Sequence, residues 1–278
     1  MDCRKWIDRY STDCKLKYNS SITQNNYISC IRKFTNNFNE YREPKEIPTQ
    51  KIKEYLLTFK TINTRKHNLS AIKSFYRLSV GMPNKIDKIE YPHSEKKLPS
   101  VLSVEEVQKM FNVCENLKHK VILALLYSCG LRVSELLNLK WKDLDRSRMV
   151  INILNGKGGK DRQVMLTDFL IPLLEKYWRE FKTEEFILSG QFTNKYSSGS
   201  VGKVIKQLGV KAGINKRVWT HQMRHNSFTH MVESGVDINI IKKLAGHKNV
   251  ETTMIYTHIS HNIISNVVSP LSKINLVV

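Results

Sequence analysis

Between Gly81 and Pro99 the chain abandons its helical alternation of apolar and polar residues. It fills instead with prolines and charges: Gly81-Met82-Pro83-Asn84, then Tyr91-Pro92-His93-Ser94-Glu95-Lys96-Lys97-Leu98-Pro99. A proline lacks the amide proton of a helix interior and restricts the residue before it, so the prolines and charges here read as a break and an exposed linker. The 278 residues therefore divide. A helical domain is predicted over 1–90, a linker over 91–100, and a second domain over 101–278.

In the first domain, Tyr27, Ile31, Phe34 and Phe38 recur at helical spacing. So do Ile52, Tyr55, Leu56 and Phe59, after a Thr49 that reads as an N-cap. A third stripe is Leu69, Ile72, Phe75, Tyr76 and Leu78, with Lys73 and Arg77 on its other side. Aromatics so spaced read as core, and the basic residues between them are the better candidates for contacting a polyanion. Ser103-Val104-Glu105-Glu106 is a capping-box pattern that restarts structure after the linker. Val121, Ile122, Leu125, Leu126 and Cys129 then form the apolar face of a helix stopping at Gly130, and Leu136, Leu137 and Leu139 begin another. There the period changes. Met149–Leu154 and Gln163–Leu166 are short and β-rich, joined by the glycine- and lysine-rich turn 155–162, which predicts a hairpin. Helical patterns return after residue 167.

Charge narrows the partner. Lys and Arg number 45 against 25 Asp and Glu, a formal charge of +20. An excess of that size favours a nucleic acid, whose condensed counterions are released on neutralisation. It is denser in the N-terminal part, where residues 1–100 carry 20 basic and 10 acidic side chains. Five cysteines, an odd number without a Cys-x-x-Cys pair, suggest reduced thiols in a cytoplasmic protein rather than a disulfide framework or zinc ribbon. The start of the chain has no signal-peptide core, and no apolar run approaches the ~20 residues of a membrane span.

Three short motifs carry the chemistry: Gly130-Leu131-Arg132-Val133-Ser134-Glu135, His221-Gln222-Met223-Arg224-His225, and Gly246-His247 followed by Tyr256. Two arginines can grip a phosphate bidentately, histidines can donate or move protons, and a tyrosine hydroxyl can attack phosphorus. His221 and His225 are also spaced like the histidines of a zinc-protease helix. Gln222 stands where that helix needs its general-base Glu, however, and the cationic Arg224 lies between them.

Order and spacing together resemble the tyrosine recombinases, the family of phage integrases and chromosome-dimer resolvases. Gly-Leu-Arg-Val-Ser-Glu matches that family's first arginine motif without departure, and Leu244-Ala245-Gly246-His247 resembles its Leu-Leu-Gly-His element. Asn226-Ser227-Phe228-Thr229-His230 replaces the usual Ser-Phe-Ala-Thr-His at unchanged length. The resemblance implies a mainly α fold with a small antiparallel β-sheet, a helical core DNA-binding domain and an α+β catalytic domain.

It also implies roles. Arg132, Arg224 and His247 would stabilise the scissile phosphate, Tyr256 would be the nucleophile and His221 would assist proton transfer. Lys157, in the hairpin turn, would protonate the leaving 5′ oxygen. Glu135 would buttress the turn holding Arg132, His225 would be structural, and Lys160 and Arg162 would touch the DNA backbone. No cofactor or metal is expected. The expected partners are double-stranded DNA and further copies of the chain, a tetramer on two sites. The apolar end of the chain (Ile263, Ile264, Val267, Val268, then Leu271, Ile274, Leu276, Val277 and Val278) is expected to dock onto a neighbouring subunit, with packing in cis as the alternative. A type IB topoisomerase and a catalytically silent DNA-binding relative are the rival readings.

Overall fold

A computed structural model describes residues 2–93, 100–154, 161–190, 195–247 and 249–259. The chain divides into two compact units, Met1–Lys96 and Lys97–Val278, a division that falls inside the 91–100 stretch. Lys157, Lys160 and the apolar end of the chain lie outside the described residues.

The first unit is helical: α1 (Cys3–Lys17), α2 (Ser21–Asn37), α3 (Thr49–Leu57), α4 (Ile62–Phe75) and α5 (Pro83–Asp87), with a π-turn at Tyr76–Val80. Asp2, Ser20 and Thr61 cap α1, α2 and α4 by accepting from backbone amides of the first turn. The N-cap of α3 differs from the sequence reading. Pro48 takes that position without a side-chain cap, and Thr49 is the first helical residue. The aromatic stripes are core. Phe34 meets Phe38, Tyr55, Phe75 and Tyr76 edge-on at centroid distances of 5.1, 5.6, 6.4 and 6.3 Å, a geometry worth about 0.5–1.5 kcal/mol per pair beyond burial. The buried hydroxyl of Tyr76 donates to Pro44 O at 2.7 Å, tying the π-turn to the loop before α3.

In the second unit the helices are α6 (Val104–Asn112), α7 (Leu117–Ser128), α8 (Val133–Asn138), α9 (Leu170–Phe181), α10 (Ser198–Lys211), α11 (Thr220–Glu233), α12 (Ile238–Ala245) and α13 (Glu251–Ile259). A three-stranded antiparallel sheet follows α8, in the order β1 (Leu144–Asp145), β2 (Val150–Ile153), β3 (Arg162–Met165). β2 and β3 are the expected hairpin, with Ile151 opposite Val164 and Ile153 opposite Arg162. β1, two residues long, was not anticipated, because so short a strand has no periodicity to read. The capping box of α6 forms: Ser103 Oγ accepts from Glu106 N at 3.2 Å, and Glu106 Oε2 accepts from Ser103 N at 2.8 Å. Every side chain of α7 from Val121 to Leu126 is buried, so this helix is the axis of the core and α9 and α11 pack against it. All five cysteines carry free thiols. Among the described residues no helix is long and apolar enough to cross a membrane.

Candidate active site

α7 ends because Gly130 adopts the left-handed conformation at φ 57°. A side chain there would collide with Phe228, whose Cζ would lie 2.5 Å from an added Cβ. The reversal brings Arg132 to the N-cap of α8, where its backbone amide and Nη1 donate to Glu135 at 2.7 and 2.8 Å. Nη2 of Arg132 reaches Ala245 O at 3.2 Å. Glu135 therefore buttresses Arg132, and it does so with a second cation. Arg162, the first residue of β3, grips the same carboxylate with Nη1 and Nη2 at 2.7 and 2.8 Å and donates Nε to Leu244 O at 2.7 Å. With its side chain only 8% exposed, Arg162 is a structural clamp, not the surface DNA contact its place beside a basic turn suggested. The fork geometry of two guanidiniums on one carboxylate explains the correction, since a buried carboxylate needs its remaining lone pairs filled.

α11 supplies the second arginine. Arg224 is 1% exposed. Nη1 donates to Gly130 O, Nη2 to Ala245 O, and the guanidinium lies 4.8 Å above the ring of Phe228. Among the described residues no carboxylate forms an ion pair with it. α12 ends as α7 does, on a left-handed glycine, Gly246 at φ 62°. The carbonyls at its end, which have no partner within the helix, thus receive Arg162, Arg132 and Arg224, in keeping with the negative end of a helix dipole.

Just beyond, His247 places Nε2 at 3.5 Å from Arg224 Nη2 and Nδ1 at 3.0 Å from Thr253 Oγ1. A guanidinium can only donate, so Nε2 is the bare nitrogen and Nδ1 carries the proton. Tyr256, on α13 and 1% exposed, is ringed by His247 (6.2 Å, interplanar 14°), His225 (5.8 Å) and Phe228 (5.5 Å). His221 stands in the first turn of α11, 4.8 Å edge-on from His225. No third His, Cys, Asp or Glu joins these histidines in a cluster among the described residues.

The electrostatics follow from cations gathered in a dry place. Burial pushes the Arg224 pKa down to about 10, helped by Arg132. Burial also lowers His221, His225 and His247, again with help from neighbouring cations, the last two to about 4. Burial raises the Tyr256 phenol, while Arg224 and Arg132 pull it back. For Glu135 burial would raise the pKa, but the hydrogen bonds from Arg162 and Arg132 outweigh it and hold the carboxyl at about 2.

These shifts predict two acid steps in stability. Below 6.5 the unfolded chain takes up protons that His225 and His247 refuse until about 4, so stability falls across that window. Glu135 contributes stability above its ordinary 4.5, and this is lost as pH falls toward about 2. Thermal melts against pH should show both steps, and Glu135→Gln should flatten only the lower one. An unchanged lower step in that variant would remove Glu135 as its source.

Of the residues singled out from sequence, Arg132, Arg224, His247 and Tyr256 converge, with His221 at the rim. Sequence reasoning gave no role to Thr253, whose hydroxyl takes the Nδ1 proton of His247, and missed the carbonyls of Gly130 and Ala245, which leave no mark on side-chain identity.

The chain as a whole is similar to known proteins. The model of the phage integrase family matches residues 100–262, and that of the phage integrase N-terminal SAM-like domain matches 6–86. The tyrosine recombinase XerA of Thermococcus onnurineus is 34% identical over 261 residues, covering 91% of this chain and 90% of its own. XerA of Pyrococcus horikoshii is 39% identical over 196 residues, 69% of this chain and 68% of its own. Among solved structures, a XerA recombinase superposes over 95% of this chain and 96% of its own, with TM-score 0.56 and 26% identity. A lambda integrase dimer bound to a COC′ core site gives TM-score 0.76 at 19% identity, over 93% of this chain and 77% of its own, which is a likeness of fold. Fold and relatives define a tyrosine site-specific recombinase. The chain belongs to the phage integrase family.

Proposed function

We propose that the protein cleaves and rejoins double-stranded DNA at specific sites through a 3′-phosphotyrosyl intermediate. The observation that carries this reading is a buried Arg224 without an ion-pair partner among the described residues, beside Arg132 and against a buried tyrosine. A cation held by carbonyls keeps its charge for an incoming anion. Arg132 and Arg224 take the non-bridging oxygens of the scissile phosphate. The Tyr256 oxygen forms a new bond to phosphorus as the bond to the 5′ oxygen breaks. His221 takes the phenolic proton, and Lys157 gives a proton to the departing 5′ oxygen. His247 acquires a proton on Nε2 once a phosphate anion offsets the arginines, and then donates to it. A 5′ hydroxyl from another strand reverses the step.

The same chemistry serves a type IB topoisomerase. The first arginine motif and the family relatives favour recombination instead, and they carry the proposal of a homo-tetramer working on two sites in the DNA-containing cytoplasm. A lambda integrase tetramer bound to a Holliday junction is a structural neighbour of this fold. Because side chains supply the charge stabilisation, no metal or cofactor is assigned. A nicked suicide substrate should trap the protein covalently in EDTA, and adduct formation only after added Mg²⁺ would revive a metal-dependent reading. Lys157→Ala should be rescued selectively by sulfur at the leaving position, which departs without a proton. Equal impairment on oxygen and sulfur substrates would move the acid role elsewhere.

A further inference from the structure

Behind the arginine site, α11 presents a second, wholly different face. Gln222, Asn226 and His230 recur every fourth residue, so they form one stripe, turned away from His221, Arg224 and His225. All three are buried. Their partner is the main chain of the segment that enters the second unit. Gln222 Nε2 donates to Ser100 O at 2.9 Å, Leu102 N donates to Asn226 Oδ1 at 3.1 Å, and His230 Nε2 lies 2.9 Å from Leu102 O. Lys216, just before the helix, donates to Val101 O at 3.3 Å. Since Leu102 O can only accept, His230 carries its proton on Nε2. Nδ1 then accepts from the Tyr127 hydroxyl at 2.8 Å. Tyr127 belongs to α7, the helix that stops before Gly130, whose carbonyl seats Arg224.

Buried polar side chains are costly unless satisfied, and an apolar stripe would pack this interface at lower risk. What directed hydrogen bonds add is register. Apolar packing tolerates rotation of a helix about its axis, whereas a ladder of three side chains against a fixed backbone does not. Asn226 stands where the family pattern has Ser, and this chain uses its amide oxygen to hold Leu102.

We infer that Gln222, Asn226 and His230 are positioning residues that lock α11 in rotation against Ser100–Leu102, and thereby hold Arg224 in its productive place. This rests on the recombinase reading above. Displacing a charge stabiliser by about 1 Å costs up to roughly 10²-fold in rate.

The test compares full-length wild type with His230→Phe, Asn226→Leu and the conservative His230→Gln on a nicked DNA substrate. Single-turnover covalent cleavage at saturating DNA, DNA affinity and the NMR titration of His247, which faces Arg224, are read together. His230→Phe and Asn226→Leu should cleave roughly 10- to 10²-fold more slowly, with affinity changed less than about twofold. Their His247 midpoint should rise as Arg224 shifts, and His230→Gln, which keeps a donor for Leu102 O, should recover most of the rate. Unchanged cleavage overturns the inference. So does a loss of rate that merely follows the folded fraction in all three variants, because the ladder is then only structural. Absence of any adduct with wild type would fail the recombinase reading instead, leaving the ladder to be judged by the His247 titration alone.

Discussion

Tyr256→Phe should fold, bind DNA as wild type does, and form no covalent adduct. The ring is packed among Phe228, His247 and His225, and phenylalanine keeps all of that contact. Only the hydroxyl is lost, and a single hydrogen bond contributes about 1 kcal/mol to stability. The chemical step has no such redundancy. Removal of a nucleophile costs on the order of 10⁴- to 10⁶-fold, which places adducts below detection on a denaturing gel while a mobility shift persists. Normal adduct levels in this variant would assign the nucleophile to another residue.

Arg224→Met separates activity from stability. Methionine fills much of the volume of the largest fully buried side chain in the described chain while removing its charge. Cleavage should fall by at least about 10²-fold, the scale of losing a preorganised charge stabiliser. The melting temperature should hold or rise. No ion-pair partner is left stranded, and burial already pushes the guanidinium down to about 10, so the fold holds this cation at a cost. Two carbonyls lose a donor, yet Ala245 O keeps its bond from Arg132. Scanning calorimetry with the adduct assay would check both halves. A large drop in melting temperature would make Arg224 a structural member of the core rather than a charge kept for substrate.

The parts legible in the sequence were those whose signal is local. Arg132 follows a helix-stopping glycine, His221 and Arg224 share one helix, and Gly246-His247 precedes Tyr256 by a short step, so motif spacing carried into space almost unchanged. Relations across the chain were not legible. Glu135 and Arg162 are 27 residues apart, and Leu102 and Asn226 are 124 apart. In the second of these the partner is a peptide group, which every residue possesses. Arg162 therefore read as one more cation of a basic turn, although a buried carboxylate with two oxygens to satisfy would have asked for it. Thr49 failed as a cap for a smaller reason: the preceding Pro48, fixed in extended backbone, already set the helix start.

The seat of Arg224 has one more consequence. Its two hydrogen-bonding hands rest on peptide oxygens at helix ends, not on side chains. Point substitutions along α7 or α12 can change nearly every neighbouring side chain without deleting an acceptor, provided each helix still stops where it does. The stops are set by Gly130 and Gly246: both have a positive φ that strains a side chain, Phe228 leaves no room for one at Gly130, and Arg162 crowds one at Gly246. The place of the charge is therefore tied to two glycines far more than to the side chains around it.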